Sequence, residues 1–178
     1  LSARLDPREV VSMLQEFRLR VAPVVYRHQG TIDKFIGDAI LIVFGLPILP
    51  HLANTDLAAV QCAMEIMQEM EAMNAKRFET GRKDAIPVGI GVSSGEVIAG
   101  NVDSGDRVEY TVIGDAVNMV ARLEDLAGDN QVLLSPATYQ RVREHVSVKA
   151  WKPRFVSGFE EPIVVYELLG TEVETISE

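Results

Sequence analysis

The stretch from Thr31 to Gly45, Thr-Ile-Asp-Lys-Phe-Ile-Gly-Asp-Ala-Ile-Leu-Ile-Val-Phe-Gly, constrains this chain more than any other. Two β-prone runs, Thr31–Ile36 and Ala39–Phe44, flank Gly37-Asp38, and both turn residues tolerate the positive φ of a tight hairpin. The second run is almost continuously apolar, which predicts a strand buried on both faces and central to its sheet. Yet the hairpin carries Asp33, Lys34 and Asp38 at or near its tip. Charge at the end of an apolar hairpin costs free energy unless it stays in water or finds a partner. Taken alone, such a hairpin is read most simply as ending in a solvated polar turn. The rest of the chain changes that reading.

Asp6-Pro7 predicts a helix start, since Asp caps well and Pro suits the first helical position. Val10, Val11, Leu14, Phe17, Val21 and Val25 then recur near a 3.6-residue period, and Gln29-Gly30 ends the helix. Pro47 and Pro50 mark a loop. Asn54 or Thr55 is expected to cap a second helix running to about Ala75, its methionines serving as core filler, followed by a surface loop over Lys76–Asp84. Strands are expected at Pro87–Val92 and Glu96–Asn101, joined by Ser93-Ser94-Gly95 as a second apparent hairpin, with a polar turn over Val102–Arg107. An extended run from Val108 leads into a helix starting at Gly114 or Asp115, with Val117, Val120 and Leu123 or Leu126 inward and Gly128 ending it. A short strand at Gln131–Leu134, a helix capped by Ser135-Pro136 and closing strands near Ala150–Val156 and Ile163–Leu168 complete an α/β pattern with a mixed sheet.

At 178 residues the chain suits one domain with a substantial core. A net charge of −9 argues against a nucleic-acid backbone or an anionic membrane surface as main partner. The one cysteine, Cys62, excludes a disulfide framework and fits a reducing compartment. No apolar run approaches the ~20 residues of a membrane span. The expectation is a cytoplasmic protein, or a cytoplasmic domain of a larger one.

Three stretches together resemble the catalytic domain of the class III nucleotidyl cyclases, the adenylyl and guanylyl cyclases. They are Gly30–Gly45, Ile90–Asn101 (Ile-Gly-Val-Ser-Ser-Gly-Glu-Val-Ile-Ala-Gly-Asn) and Val108–Glu124, and the similarity extends from Leu1 to Leu168 in the family's order and spacing. The resemblance implies an α/β (α+β) fold, a ferredoxin-like mixed sheet with helices on one side. It implies a catalytic domain over residues 1–170, with an acidic tail at 171–178, working as a homodimer with active sites between subunits. Asp38 matches one of two aspartates that hold the catalytic Mg²⁺ or Mn²⁺ pair. Lys34 matches the position that reads the purine, and Thr111 matches its partner in base recognition. Asn118 and Arg122 match the pair that orients the ribose and stabilises phosphate charge during reaction. Both subunits would then build each site, and a regulatory domain is expected elsewhere in the full protein.

The implied chemistry needs these residue types. Cyclisation of ATP requires the ribose 3′-hydroxyl to attack the α-phosphorus in line, with pyrophosphate leaving. Mg²⁺ prefers hard oxygen ligands, one or two of them carboxylates. Arg is permanently charged and presents a rigid fork of donors to phosphate. Lys34 can only donate, which suits adenine N1, an acceptor, and repels the N–H of guanine; a hydroxyl at Thr111 can accept from the adenine amino group. Guanylyl cyclases resemble this sequence but carry Glu at the position of Lys34.

Three departures bear on the reading. In the family the other metal aspartate lies on a strand ending just before a Leu-Ser-x-x-Leu-Asp-Pro segment, and here that segment is Leu1–Pro7, so the strand and its carboxylate lie outside these residues. Ser157 stands where relatives usually carry a phosphate-binding lysine, leaving Lys152 and Arg154 as substitutes or as solvated strand-edge charges. Thr111 stands where many adenylyl cyclases have Asp. The main expectation is an adenylate cyclase. The alternatives are a degenerate nucleotide-sensing or dimerisation module and a guanylate cyclase. Without the resemblance, Arg122 would be read as a surface ion-pair residue beside Glu124 and Asp125, and Asn118 as a helix-surface amide.

Overall fold

A computed structural model describes residues 7–46, 54–82, 85–103, 108–156 and 161–171. The proposed cap Asp6, the Pro47 and Pro50 loop, Ser157 and the tail beyond Thr171 lie outside them. Helix α1 (Pro7–Arg27) buries Met13, Val21, Val24 and Val25, whereas Val11, expected on the inner face, is exposed. The helix stops where expected. Gln29 takes a positive φ of 59°, while the Gln29 and Gly30 amides donate back to Tyr26 and Val25 carbonyls, satisfying the last orphan acceptors.

Strands β1 (Thr31–Ile36) and β2 (Ala39–Val43) form the expected antiparallel hairpin, turning at Gly37 with φ 62°. Among the described residues they make a two-stranded sheet of their own, and every position of β2 is half-buried rather than enclosed on both faces. Ile32, Ile40, Ile42 and Phe44 pack on the cluster shared by α1 and the next helix, so one face is covered and the expected central place is not observed.

Asn54 caps α2 (Thr55–Glu79), its Oδ1 accepting from the Leu57 amide at 2.9 Å. The helix outruns its expected end at Ala75, so Lys76–Glu79 is its last turn and not loop. Thr80 is the stop, its hydroxyl donating to the Lys76 and Arg77 carbonyls. Arg77 is consequently buried, and among the described residues its Nε and Nη1 have no hydrogen-bond partner. Met67, Met70 and Met73 are core residues, as expected of methionines serving as core filler, and Met64 is half-buried. Burial also pushes the Cys62 thiol up to about 12, so it packs as a small apolar group. The buried Asn74 amide pairs with both backbone groups of Ile86 at 2.8 and 3.0 Å, tying the chain down before β3.

Strand β3 (Gly89–Val92) does not form a hairpin with β4 (Ile98–Asp103). It pairs in parallel with β6 (Gln131–Leu134), while β4 pairs with β5 (Val108–Ile113) in a separate antiparallel hairpin. Helix α3 (Asp115–Leu126) follows, and its inner face is Met119 and Leu123, with Val117 and Val120 half-buried. It closes at Ala127, one residue before the expected Gly128. Ser135 caps α4 (Pro136–Val142) through the Thr138 amide. The closing strands lie further out than expected, as β7 (Val146–Ala150) and β8 (Tyr166–Thr171), and among the described residues of the connecting segment the pairing is an isolated Arg154–Ile163 bridge. Pro153 and Pro162 lack the donors a continuous ladder would need.

The four-stranded sheet has the order β3-β6-β8-β7 and is mixed, as expected. Its helices lie on both faces, however, not on one. Val132 and Leu134 point to the α2 and α4 side while Leu133, between them, points to Met119 and Leu123 of α3. The strict alternation of a strand sends neighbouring residues to opposite faces, and at β6 Val132, Leu133 and Leu134 are all buried.

Candidate active site

The pairing register of β1 slips between Ile32, opposite Ile42, and Lys34, opposite Leu41, leaving Asp33 as a bulge. A bulge re-aims the side chains beside it. Asp33 and Lys34 would point to opposite faces of a regular strand; here Lys34 Nζ lies 3.7 Å from Asp33 Oδ2. Both sit in the body of β1, not at the hairpin tip. The Asp33 side chain is only 7% exposed and that of Lys34 25%. Thr111, at the middle of β5, donates its hydroxyl to the same Asp33 Oδ2 at 3.2 Å. Lys34 and Thr111, the two residues expected to read a purine, are therefore joined by one buried carboxylate bridging two hairpins. Asp33 and Lys34 also line an open groove of about 580 Å³ between β1 and α1, walled by Leu19, Pro23, Tyr26 and Phe35.

Asp38 projects from the exposed end of the first hairpin, next to Gly37. The turn is held from behind by Arg18 of α1, which donates to the Gly37 carbonyl at 3.2 Å and lies over the Phe35 ring at 4.1 Å. Among the described residues the Asp38 carboxylate has no hydrogen bond or ion pair, so its oxygens are open to a cation. Its charge is felt at Glu124 on α3. Partial burial, then Asp125, then Asp38 hold the Glu124 carboxyl above its usual range. A hard, exposed oxygen donor beside a second acidic group suits Mg²⁺ or Mn²⁺, which take one or two carboxylates and complete their shell with water and phosphate. No set of three or more His, Cys, Asp or Glu forms a full cage among the described residues.

Asn118 and Arg122, four apart on α3, both lie on its solvent face. Arg122 pairs with Asp125 at 3.2 Å, in the surface arrangement that i,i+3 spacing favours. What seats the helix is Gly91 of β3. A Cβ there would come within 2.6 Å of the Val120 carbonyl and 2.8 Å of the Leu123 Cβ, so the backbones touch because no side chain intervenes. Among the described residues no hydrogen bond or ion pair joins Asp38 to Asn118 or Arg122. One chain thus joins the two residues expected to read the base, and leaves those expected to meet metal and phosphate exposed and unbonded to one another among the described residues. Lys152 is exposed, and the Arg154 guanidinium stacks on Trp151 at 4.4 Å.

Sequence reasoning gave Asp33 and Arg18 no role and named Glu124 only as a surface ion-pair neighbour of Arg122. The adjacent unlike charges of Asp33-Lys34 in an otherwise apolar strand were the one available signal, because a regular strand cannot bury one without exposing the other.

Comparison with known proteins gives a consistent result. A family model described as the adenylate and guanylate cyclase catalytic domain matches residues 1–170. Adenylate cyclase 1 of Rhizobium meliloti is 30% identical over 174 residues, covering 96% of this chain and 25% of that protein. A Mycobacterium tuberculosis protein named only as uncharacterized is 43% identical over 123 residues, 68% of this chain and 20% of its own length. The chain therefore spans about a quarter or less of these relatives. The solved guanylyl cyclase Cya2 superposes with a TM-score of 0.82 at 29% identity, over 98% of this chain and 87% of that one. The adenylyl cyclase CyaB of P. aeruginosa gives 0.83 at 23% identity, over 95% and 86%, a likeness of fold.

Proposed function

The chain belongs to the family of adenylate and guanylate cyclase catalytic domains, and on that premise we propose that it is an adenylate cyclase, converting ATP to 3′,5′-cyclic AMP and pyrophosphate at sites shared by two copies. Relatives of both base specificities share the fold, so the choice of ATP rests on this chain's own side chains. The observation that carries it is the Lys34–Asp33–Thr111 cluster. Lys34 offers a donor to adenine N1 and Thr111 a hydroxyl oxygen to the adenine amino group, whereas guanine presents a donor and an acceptor at those places.

Asp38 would hold Mg²⁺ or Mn²⁺, which when bound supplies charge to the triphosphate and acidifies the ribose 3′-hydroxyl. Arg122 would turn from Asp125 to a phosphate oxygen, exchanging an exposed ion pair worth little for a charge-assisted one that strengthens as charge develops. Asn118, on the same face, would hold the ribose in line. A second copy is supported by the apolar surface this chain leaves open: Ile98 and Ile113 are directly paired across β4 and β5 and are 78% and 56% exposed, with Tyr110 on the same hairpin 59% exposed. The greater length of the relatives supports a regulatory domain elsewhere in the protein. Among the described residues no helix is long and apolar enough to cross a membrane.

The test is to incubate the protein with ATP or GTP and either cation and to separate the products by chromatography. Cyclic AMP is expected, with kcat/KM for ATP about 10²-fold above that for GTP. Cyclic GMP as the main product, or no cyclic nucleotide from a protein that binds ATP, would overturn the reading.

A further inference from the structure

We infer that Asp33 is a specificity-determining positioning residue: by accepting the hydrogen bond of the Thr111 hydroxyl it makes Thr111 an acceptor-only reader of the purine. The inference rests on the adenylyl reading above and deepens it.

A threonine hydroxyl is by itself a poor discriminator. It carries one proton and two lone pairs and rotates to suit its neighbour, so it meets an amino group as an acceptor or a carbonyl as a donor. Adenine places an amino group at C6 and guanine a carbonyl oxygen, and a freely rotating hydroxyl accommodates both. The Thr111 hydroxyl is not free. It donates to Asp33 Oδ2 at 3.2 Å, and an ionised carboxylate can only accept, so the proton has one direction to point. What Thr111 then shows to a ligand is lone pairs. These attract the adenine amino group and repel guanine O6.

The same carboxylate lies 3.7 Å from the Lys34 ammonium, holding a donor-only group beside the acceptor-only one. The donor–acceptor pair so formed complements adenine N1 and its amino group and opposes guanine at both positions. The Asp33 side chain is 7% exposed, so water does not compete strongly for its oxygens. Its place as the bulge residue of β1 also matters. The Asp33–Thr111 bond joins two hairpins and belongs to the ladder of neither, so losing it reorients a hydroxyl without unzipping a strand.

The test compares kcat/KM for ATP and for GTP in the whole protein, for wild type, Asp33→Ala, Asp33→Asn, Thr111→Val and the double variant Asp33→Ala/Thr111→Val. Releasing one hydroxyl is expected to lower the ATP-to-GTP ratio about tenfold in Asp33→Ala. Asp33→Asn should fall part of the way, because an amide can present either an acceptor or a donor to the hydroxyl. Thr111→Val should lower the ratio by a similar factor, and the double variant no further, since two substitutions acting through one hydroxyl are not additive. Equal losses for ATP and GTP in Asp33→Ala, or two effects that multiply in the double variant, would overturn the inference. Thermal melts check folding; if Asp33→Ala does not melt cooperatively, the near-isosteric Asp33→Asn decides, and an unchanged ratio there counts against the role. A wild type that prefers GTP would instead defeat the adenylyl reading itself, whereas one that prefers ATP with a ratio insensitive to Asp33 would defeat only this inference.

Discussion

The two ends of the candidate site are built differently. At one end Lys34, Asp33 and Thr111 are drawn from two hairpins, half-buried or buried, and bonded to each other before any ligand arrives. At the other end Asp38 stands exposed on a turn, Asn118 and Arg122 lie on the solvent face of α3, and Arg122 is occupied by its neighbour Asp125. On the proposed reading, the difference follows from what each end would handle. A flat, neutral base is discriminated by a fixed pattern of donors and acceptors, which needs preorganised groups shielded from water. A triphosphate brings several negative charges and its own cation, so groups that meet it can wait in solvent and converge on it when it binds.

The largest effects are expected at the open end. Asp38→Ala and Arg122→Ala should each lower kcat by roughly 10²–10³ in a cyclic-nucleotide assay, with unfolding midpoints unchanged. If the two residues of one site come from different subunits, a mixture of these inactive chains should regain about a quarter of wild-type activity, because half the dimers are mixed and each restores one of two sites. No recovery from a mixture shown to dimerise would place both residues of a site on one chain and break the contrast drawn above. At the closed end, Lys34→Glu should lower kcat/KM for ATP by roughly 10²-fold and spare GTP, steady-state kinetics with both nucleotides being the check. A uniform loss would mean that Lys34 holds phosphate, not base.

Smaller effects concern how the two ends are held. Gly91→Ala forces a Cβ against the Val120 carbonyl, and denaturant unfolding should show a loss of roughly 1–3 kcal/mol as α3 is pushed away. The ATP-to-GTP ratio should stay as it was, since none of Lys34, Asp33 and Thr111 is on α3. The smallest effect is expected on the α1–α2 seam, where hydrogen bonds from Arg27, then His28, hold the Glu65 carboxyl below its ordinary value of 4.5. Its contribution to stability is complete above that pH and disappears as pH falls through the lowered folded-state value. Glu65→Gln should therefore remove part of the loss seen in an acid titration of stability, by no more than about 1 kcal/mol given its exposure, and leave the nucleotide ratio untouched.

Elements whose signals are local were legible from residue order. The hairpin at Gly37, the Asn54 and Ser135 caps, the end of α1 and the short strand Gln131–Leu134 all lie where their own few residues direct them. Long-range choices were not. That β4 joins β5 and not β3, that α3 covers the second face of the sheet, and that α2 carries Arg77 into the interior depend on contacts between distant segments. The same division runs through the site. Lys34, Asp38, Asn118 and Arg122 stand in recognisable spacings, whereas Asp33 had to be found by its contact with a residue 78 positions away.

Residue order by itself determined the family, the chemistry on offer and the side chains able to supply it, because donor, acceptor and charge belong to residue types and travel with them. Only the tertiary structure decided which way the Thr111 hydroxyl points. A rotating O–H takes its direction from its nearest acceptor, and that acceptor is brought close by a bulge in one hairpin and the packing of another.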